Sequence, residues 1–171
     1  MKNFGVEFFA GHMTGKTLSE TWTGLSLREV WGKFACSLKK TKPIQVNAFV
    51  LMKNHFHLLV SWNHSDVIRA SEGVAAELDQ TFGTETKIYP VKSFSNYLNV
   101  YKYIYRNPVE AGLVSLAEDY QYSSLRCVLG KSDLSFPVVD NMNVIHHPRI
   151  LQWINADENL FRRICDDRSQ P

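Results

Sequence analysis

The chain carries two histidines, His55 and His57, inside the otherwise apolar run "VLMKNHFHLLVSW", with only Phe56 between them. Residues two apart on a strand point to the same side. Their backbones are then roughly 7 Å apart, close enough for two imidazoles to converge on one divalent ion. An H-x-H pair in general is more often a packed or surface feature. Here the run is apolar on both sides of the pair, so each ring needs a polar partner. A buried polar group left without one costs about 1–3 kcal/mol. Two neutral imidazoles do not complete a closed tetrahedral zinc site. A site with open positions, filled by water and substrate oxygens, is the alternative. A hard ion such as Mg2+ or Mn2+ would then require a further oxygen donor.

The segment "FSNYLNVYKYIYRN" (94–107) supplies candidates for that donor. At helical spacing Asn99, Tyr103 and Asn107 form one polar stripe. Tyr97, Tyr101 and Tyr105 form a second stripe, displaced around the helix, and a tyrosine ladder of this kind usually packs. The first stripe places a phenol one turn from a carboxamide oxygen, a nucleophile beside a metal ligand. A phenol with a free pKa of about 10 is a poor nucleophile. A metal polarising the scissile phosphate would help it, as would a basic neighbour such as Lys102 or Arg106.

The elements that must position these groups follow from periodicity. "FGVEFFAGHMT" (4–14) reads as a strand. Ser26 and Glu29 make a capping box before a helix over 27–40, whose apolar face is Leu27, Val30, Trp31, Phe34 and Leu38. Strands over 44–52 and 55–62 flank the two-residue turn Lys53-Asn54, a hairpin. Ser65 is a candidate cap for a helix over about 66–82, with Val67, Ile68, Val74, Ala75 and Leu78 on its apolar side. The Gly/Thr/Lys-rich stretch 83–93 reads as a loop with room for a short strand. The tyrosine helix is expected to stop at Asn107, because Pro108 disfavours helical geometry at the residue before it. Ser123 caps a short helix, and "HHPRILQWINADENLFRRICDD" supplies one or two more. The order implies an α+β fold, an antiparallel sheet covered by helices.

Length and composition bound the function. The 171 residues, 44% apolar and 21% charged, fit a globular chain. No apolar run approaches the roughly 18 residues that span a bilayer. The start lacks the apolar stretch of a secretion signal. Three widely spaced cysteines (Cys36, Cys127, Cys165) argue against a disulfide framework or structural zinc and suit a reducing cytosol. The net charge is only +2, but 33–53 and 87–106 hold lysines and arginine with no acid. A locally basic surface on a nearly neutral protein hints at a polyanion partner.

Three motifs in order, "VLMKNHFHLLV", "YKYIYRNPVEAGLV" and "EDYQYSSLRCVLG", resemble the single-tyrosine HUH transposases, in particular the REP-associated tyrosine transposases and their insertion-sequence relatives. The resemblance covers roughly residues 4–130. It implies a ferredoxin-like HUH nuclease fold over 1–130, with 131–171 as a helical extension packed on it. It implies His55, His57 and Asn107 as ligands of Mg2+ or Mn2+ and Tyr103 as the nucleophile. The substrate would be single-stranded or hairpin DNA, nicked and rejoined through a 5′-phosphotyrosine. The protein would be cytoplasmic and nucleoid-associated in a bacterium, a monomer or a homodimer. Lys53, Lys87, Lys92, Lys102 and Arg106 are the expected DNA contacts, within an aromatic-interleaved segment suited to stacking unpaired bases. The family's usual histidine two residues after the tyrosine is here Tyr105. The polar end of its first strand is echoed only by His12, Thr14 and Lys16. Two other functions fit the same residues: a non-cleaving binder of hairpin DNA or RNA, and a hydrolase of small phosphoesters. The pair His146-His147 precedes Pro148, and adjacent side chains diverge, so it is a weak metal candidate.

Overall fold

The computed structural model describes residues 9–22, 24–40, 44–62, 67–133, 136–144 and 147–156. Four strands and two helices alternate at the start: β1 (Phe9–Thr17), α1 (Leu27–Lys40), β2 (Gln45–Leu51), β3 (His55–Trp62), α2 (Val67–Phe82) and β4 (Thr84–Val91). The strands form one antiparallel sheet in the order β2-β3-β1-β4. This is the split β-α-β, ferredoxin-like arrangement. Three helices follow: α3 (Phe94–Glu110), α4 (Ser124–Val128) and α5 (Pro148–Asn155). Among the described residues no helix is long and apolar enough to cross a membrane.

Alternation along the strands builds two cores. Met13, Phe49, Phe56, Leu58 and Val60 face α1 and α2. Ala48, Val50 and Leu59 face α3, α4 and α5. The capping box at the start of α1 forms as expected: the Ser26 amide donates to Glu29 Oε2 at 2.8 Å, and the Glu29 amide to Ser26 Oγ at 3.3 Å. Ser123 caps α4 through the Leu125 amide. The expected cap at Ser65 and the first five residues of the strand expected over 4–14 lie outside the described residues.

Two expectations are corrected. The stretch 83–93 holds an eight-residue edge strand, β4, paired with β1. The first half of its inward side is polar, the Thr84 and Thr86 hydroxyls donating to Asp79 Oδ1 on α2 at 2.7 and 2.6 Å, and only Ile88 follows as an apolar inward residue. That satisfaction by one carboxylate replaces the apolar alternation by which strands are recognised. Pro90 is tolerated because β4 is an edge strand. Second, α3 does not stop at Asn107 but runs through Pro108 to Glu110. Pro108 lies in the last turn, so its missing N–H costs a single helical hydrogen bond. The helix then closes with the Gly112 amide donating to the Val109 carbonyl, Gly112 adopting φ 69°.

The segment after α3 covers the outer edge of β2. The Leu51 amide donates to Tyr122 O, the Phe49 amide to Ser124 Oγ, and the Val139 amide to Val46 O. An otherwise open sheet edge is thereby closed. Gly15 on β1 is a close approach: a Cβ there would overlap the Phe56 ring and come within 2.8 Å of Thr86 Oγ1.

Candidate metal and nucleophile site

The antiparallel register aligns Thr14 with His57 and Lys16 with His55. His12, Thr14 and Lys16 therefore share a face with the histidine pair, and α3 lies across the β2–β3 half of that face. On the β1–β4 half of that face Lys16, Glu85, Lys87 and Tyr89 are exposed among the described residues. Lys87 pairs with Thr14, and the half-exposed Tyr89 pairs with His12.

The imidazoles of His55 and His57 are 5.2 Å apart between centroids and nearly perpendicular. Asn107 reaches both. Its Nδ2 lies 3.3 Å from His57 Nε2, and its carboxamide hydrogen-bonds His55. One side chain touching both rings sets a nitrogen of each beside the same carboxamide. The Tyr103 ring meets His57 edge-on at 5.2 Å between centroids, and it is 43% exposed. The structure thus brings together the four residues singled out from sequence: His55, His57, Tyr103 and Asn107. His55 Nδ1 is held by Asn54 Oδ1 at 2.9 Å.

Burial keeps the imidazoles neutral. It depresses His57 to about 3, aided by neighbouring His12 and His55. It lowers His55 too, against the raising effect of the Asn107 hydrogen bond. Neutral imidazoles are the form that ligates metals. Among the described residues no group of three His, Cys, Asp or Glu side chains is arranged to hold an ion. The donor set is instead two imidazoles and one carboxamide. Such a set could hold an ion with open positions, the imidazoles suiting a borderline ion and the carboxamide oxygen with added waters suiting Mg2+ or Mn2+.

The candidate DNA contacts divide. Lys53, Lys87 and Lys92 are exposed, Lys53 in the turn beside Asn54. Lys102 is 6% exposed, with its Nζ 5.4 Å from the centre of the Trp153 ring on α5. Arg106 Nη1 donates to the carbonyls of Asn155 and Ala156, at 2.9 and 3.1 Å. Asn155 in turn donates to Glu118 Oε2 at 2.8 Å. These two cations fasten α5 to α3, away from the histidines. Tyr105, standing where the resembled family has histidine, is fully buried. Its hydroxyl is 2.9 Å from Ser124 Oγ, so it ties α3 to α4 and takes no place in the site. His147 precedes α5 and is exposed, while His146 lies outside the described residues.

Among the solved structures that share this architecture is a REP-associated tyrosine transposase bound to a REP hairpin, with TM-score 0.58 and 15% identity over 78% of this chain and 87% of that one. The chain has the fold of that transposase. A hypothetical protein, ORF119 from Sulfolobus islandicus rod-shaped virus 1, aligns at TM-score 0.36 with 22% identity, over 57% of this chain and 81% of the other. No family model and no curated protein matches in sequence.

Sequence reasoning gave His12 little weight. Its Nε2 lies 3.1 Å from His57 Nδ1, and the rings are 5.3 Å apart. Burial depresses it to about 4. The period-two set His12-Thr14-Lys16 was the available signal, but only the β1–β3 pairing shows which strand it faces.

Proposed function

We propose that the protein is a metal-dependent strand transferase that nicks and rejoins single-stranded or hairpin DNA through a tyrosine. The observation that carries this reading is the position of Tyr103. It stands half-exposed against His57, on the helix face from which Asn107 reaches both imidazoles. His55, His57 and Asn107 would hold Mg2+ or Mn2+. Bound there, such an ion supplies Lewis-acid polarisation of a phosphate oxygen.

The chain's own residues do the rest. Tyr103 Oη forms a bond to phosphorus while the bond from phosphorus to the 3′ oxygen breaks. This leaves a 5′-phosphotyrosyl link and a free 3′-OH that ends with the phenolic proton. A second 3′-OH reverses the step, so joining needs no nucleotide. The exposed residues of the β1–β4 half give the strand a place beside Tyr103. Lys53, Lys87 and Lys92 would contact phosphates there, and Tyr89 offers a face for stacking a base. Residues 1–130 would form the catalytic unit, with 131–171 as an extension held on α3 through Lys102 and Arg106.

The test is incubation with hairpin oligonucleotides bearing single-stranded flanks, with Mn2+ or Mg2+, followed by denaturing electrophoresis. A covalent protein–DNA adduct is expected from the wild type and none from Tyr103→Phe. An adduct that persists in Tyr103→Phe but is lost in Tyr101→Phe or Tyr105→Phe would refute this choice of nucleophile. Tight metal-independent binding with no adduct on any hairpin would mark a binding module.

A further inference from the structure

A ligating imidazole must leave one ring nitrogen free of its proton, and the group held by the other nitrogen decides which one that is. His57 has a partner at each nitrogen. Asn107 Nδ2 is 3.3 Å from Nε2, and His12 Nε2 is 3.1 Å from Nδ1. An amide N–H donates, so His57 Nε2 accepts and bears no proton. The neutral ring then carries its proton on Nδ1 and donates it to His12 Nε2. Ligating histidines usually give this second N–H to a carboxylate or carbonyl. Here the acceptor is an imidazole on the neighbouring strand, wedged against Tyr89 at 6.0 Å and Tyr103 at 6.1 Å between ring centroids.

We propose that His12 is a positioning residue, accepting the Nδ1–H of His57 and thereby turning the His57 Nε2 lone pair toward Asn107. The inference rests on the proposed metal-binding role of His57, though its geometric core does not. His12 spans β1 to β3, so it also fixes the angle of the His57 ring. A neutral acceptor suits a site that must admit phosphate: a carboxylate at this position would set a negative charge beside the incoming strand. The roles of the pair are then unequal. His55 is oriented locally by Asn54, its chain neighbour, whereas His57 is oriented by a residue forty-five positions earlier.

The experiment uses full-length protein labelled with 15N-histidine, first without metal. Long-range 1H–15N correlation at neutral pH is expected to show His57 as the Nδ1–H tautomer. His12→Leu should abolish that preference, and His12→Gln, whose carboxamide oxygen accepts the same N–H, should keep it. An Nε2–H tautomer in the wild type, or an unchanged one in His12→Leu, overturns the proposal. In a Mn2+ titration followed by electron paramagnetic resonance, His12→Leu should bind about 10–100-fold more weakly. His12→Gln should recover most of the loss and guards against misfolding of the leucine variant. Equal affinity in all three proteins overturns the proposal. So does 15N hyperfine coupling to three imidazoles instead of two, since His12 would then be a ligand. Failure to form a DNA adduct would count against the proposed function but leave the tautomer result standing, so the two ideas fail separately.

Discussion

Helix α3 carries two polar stripes, Tyr97-Tyr101-Tyr105 and Asn99-Tyr103-Asn107, that both contain tyrosine and share little else. Tyr97, Tyr101 and Tyr105 are buried beneath the helix, at 1% exposure or less. Burial drives all three phenols well above their ordinary range, so each stays protonated. Tyr103, two residues from Tyr101 and from Tyr105, stands 43% exposed against His57. The same phenol is a core filler on one side of the helix and a candidate nucleophile on the other. A nucleophile needs access and a partner that withdraws charge from its target. A core filler needs contacts and a satisfied hydroxyl.

Several substitutions would break or sharpen that contrast. The largest effect is expected from Tyr103→Phe. Adduct formation should fall at least about a thousandfold, as when a covalent nucleophile is removed, with the melting temperature unchanged. The mirror experiment is Tyr105→Ala. Emptying a fully buried aromatic site should cost about 3–5 kcal/mol in urea unfolding. If the alanine variant is as stable as Tyr103→Phe, the contrast is lost.

Acid tests the ground beneath the exposed stripe. His12 and His57 are depressed to about 4 and about 3 by burial. Below the unfolded pKa of about 6.5 the denatured chain binds protons that the native one refuses. Stability of the metal-free protein is therefore full above about pH 6.5 and falls by several kcal/mol as pH drops toward 4. His12→Leu should flatten part of that slope in denaturant titrations at stepped pH. A flat wild-type profile would mean that the imidazoles are solvated.

The smallest effects separate the two buried hydroxyls. Tyr105→Phe removes the contact with Ser124 Oγ and should cost about 1 kcal/mol. Among the described residues the Tyr101 hydroxyl meets only that of Tyr105, beyond hydrogen-bonding length, so Tyr101→Phe should change stability by less than about 0.5 kcal/mol. Equal losses at the two positions would reveal a shared partner, such as a buried water.

What could be read from sequence was local. The α1 capping box, the β2–β3 hairpin and the Tyr103/Asn107 spacing each lie within a few residues. Groups fixed by chain-distant pairing could not be read that way. Nor could β4, whose inward threonines are answered by Asp79 only five and seven residues back, because nothing in the spacing shows that α2 folds over them. Lys102 and Arg106 read as DNA contacts by charge, yet their partners Trp153, Asn155 and Ala156 lie some fifty residues on. His12 gains its meaning from a strand pairing across forty-five residues. Pro108 misled because the rule it obeys is a cost, which one turn at a helix end tolerates.

Gly15 makes the site breakable from behind. A methyl group there would press on Phe56 from the helix-covered side of the sheet, and Phe56 is the residue joining His55 to His57. A shift of that ring is expected to disturb the strand segment that spaces the two imidazoles, with every chemical group still in place. In a lineage of such chains, decay of activity would then be legible in a glycine that touches neither ion nor DNA. A copy keeping both histidines, the tyrosine and the asparagine, but with a side chain at this position, is expected to lose the proposed activity while keeping its motifs.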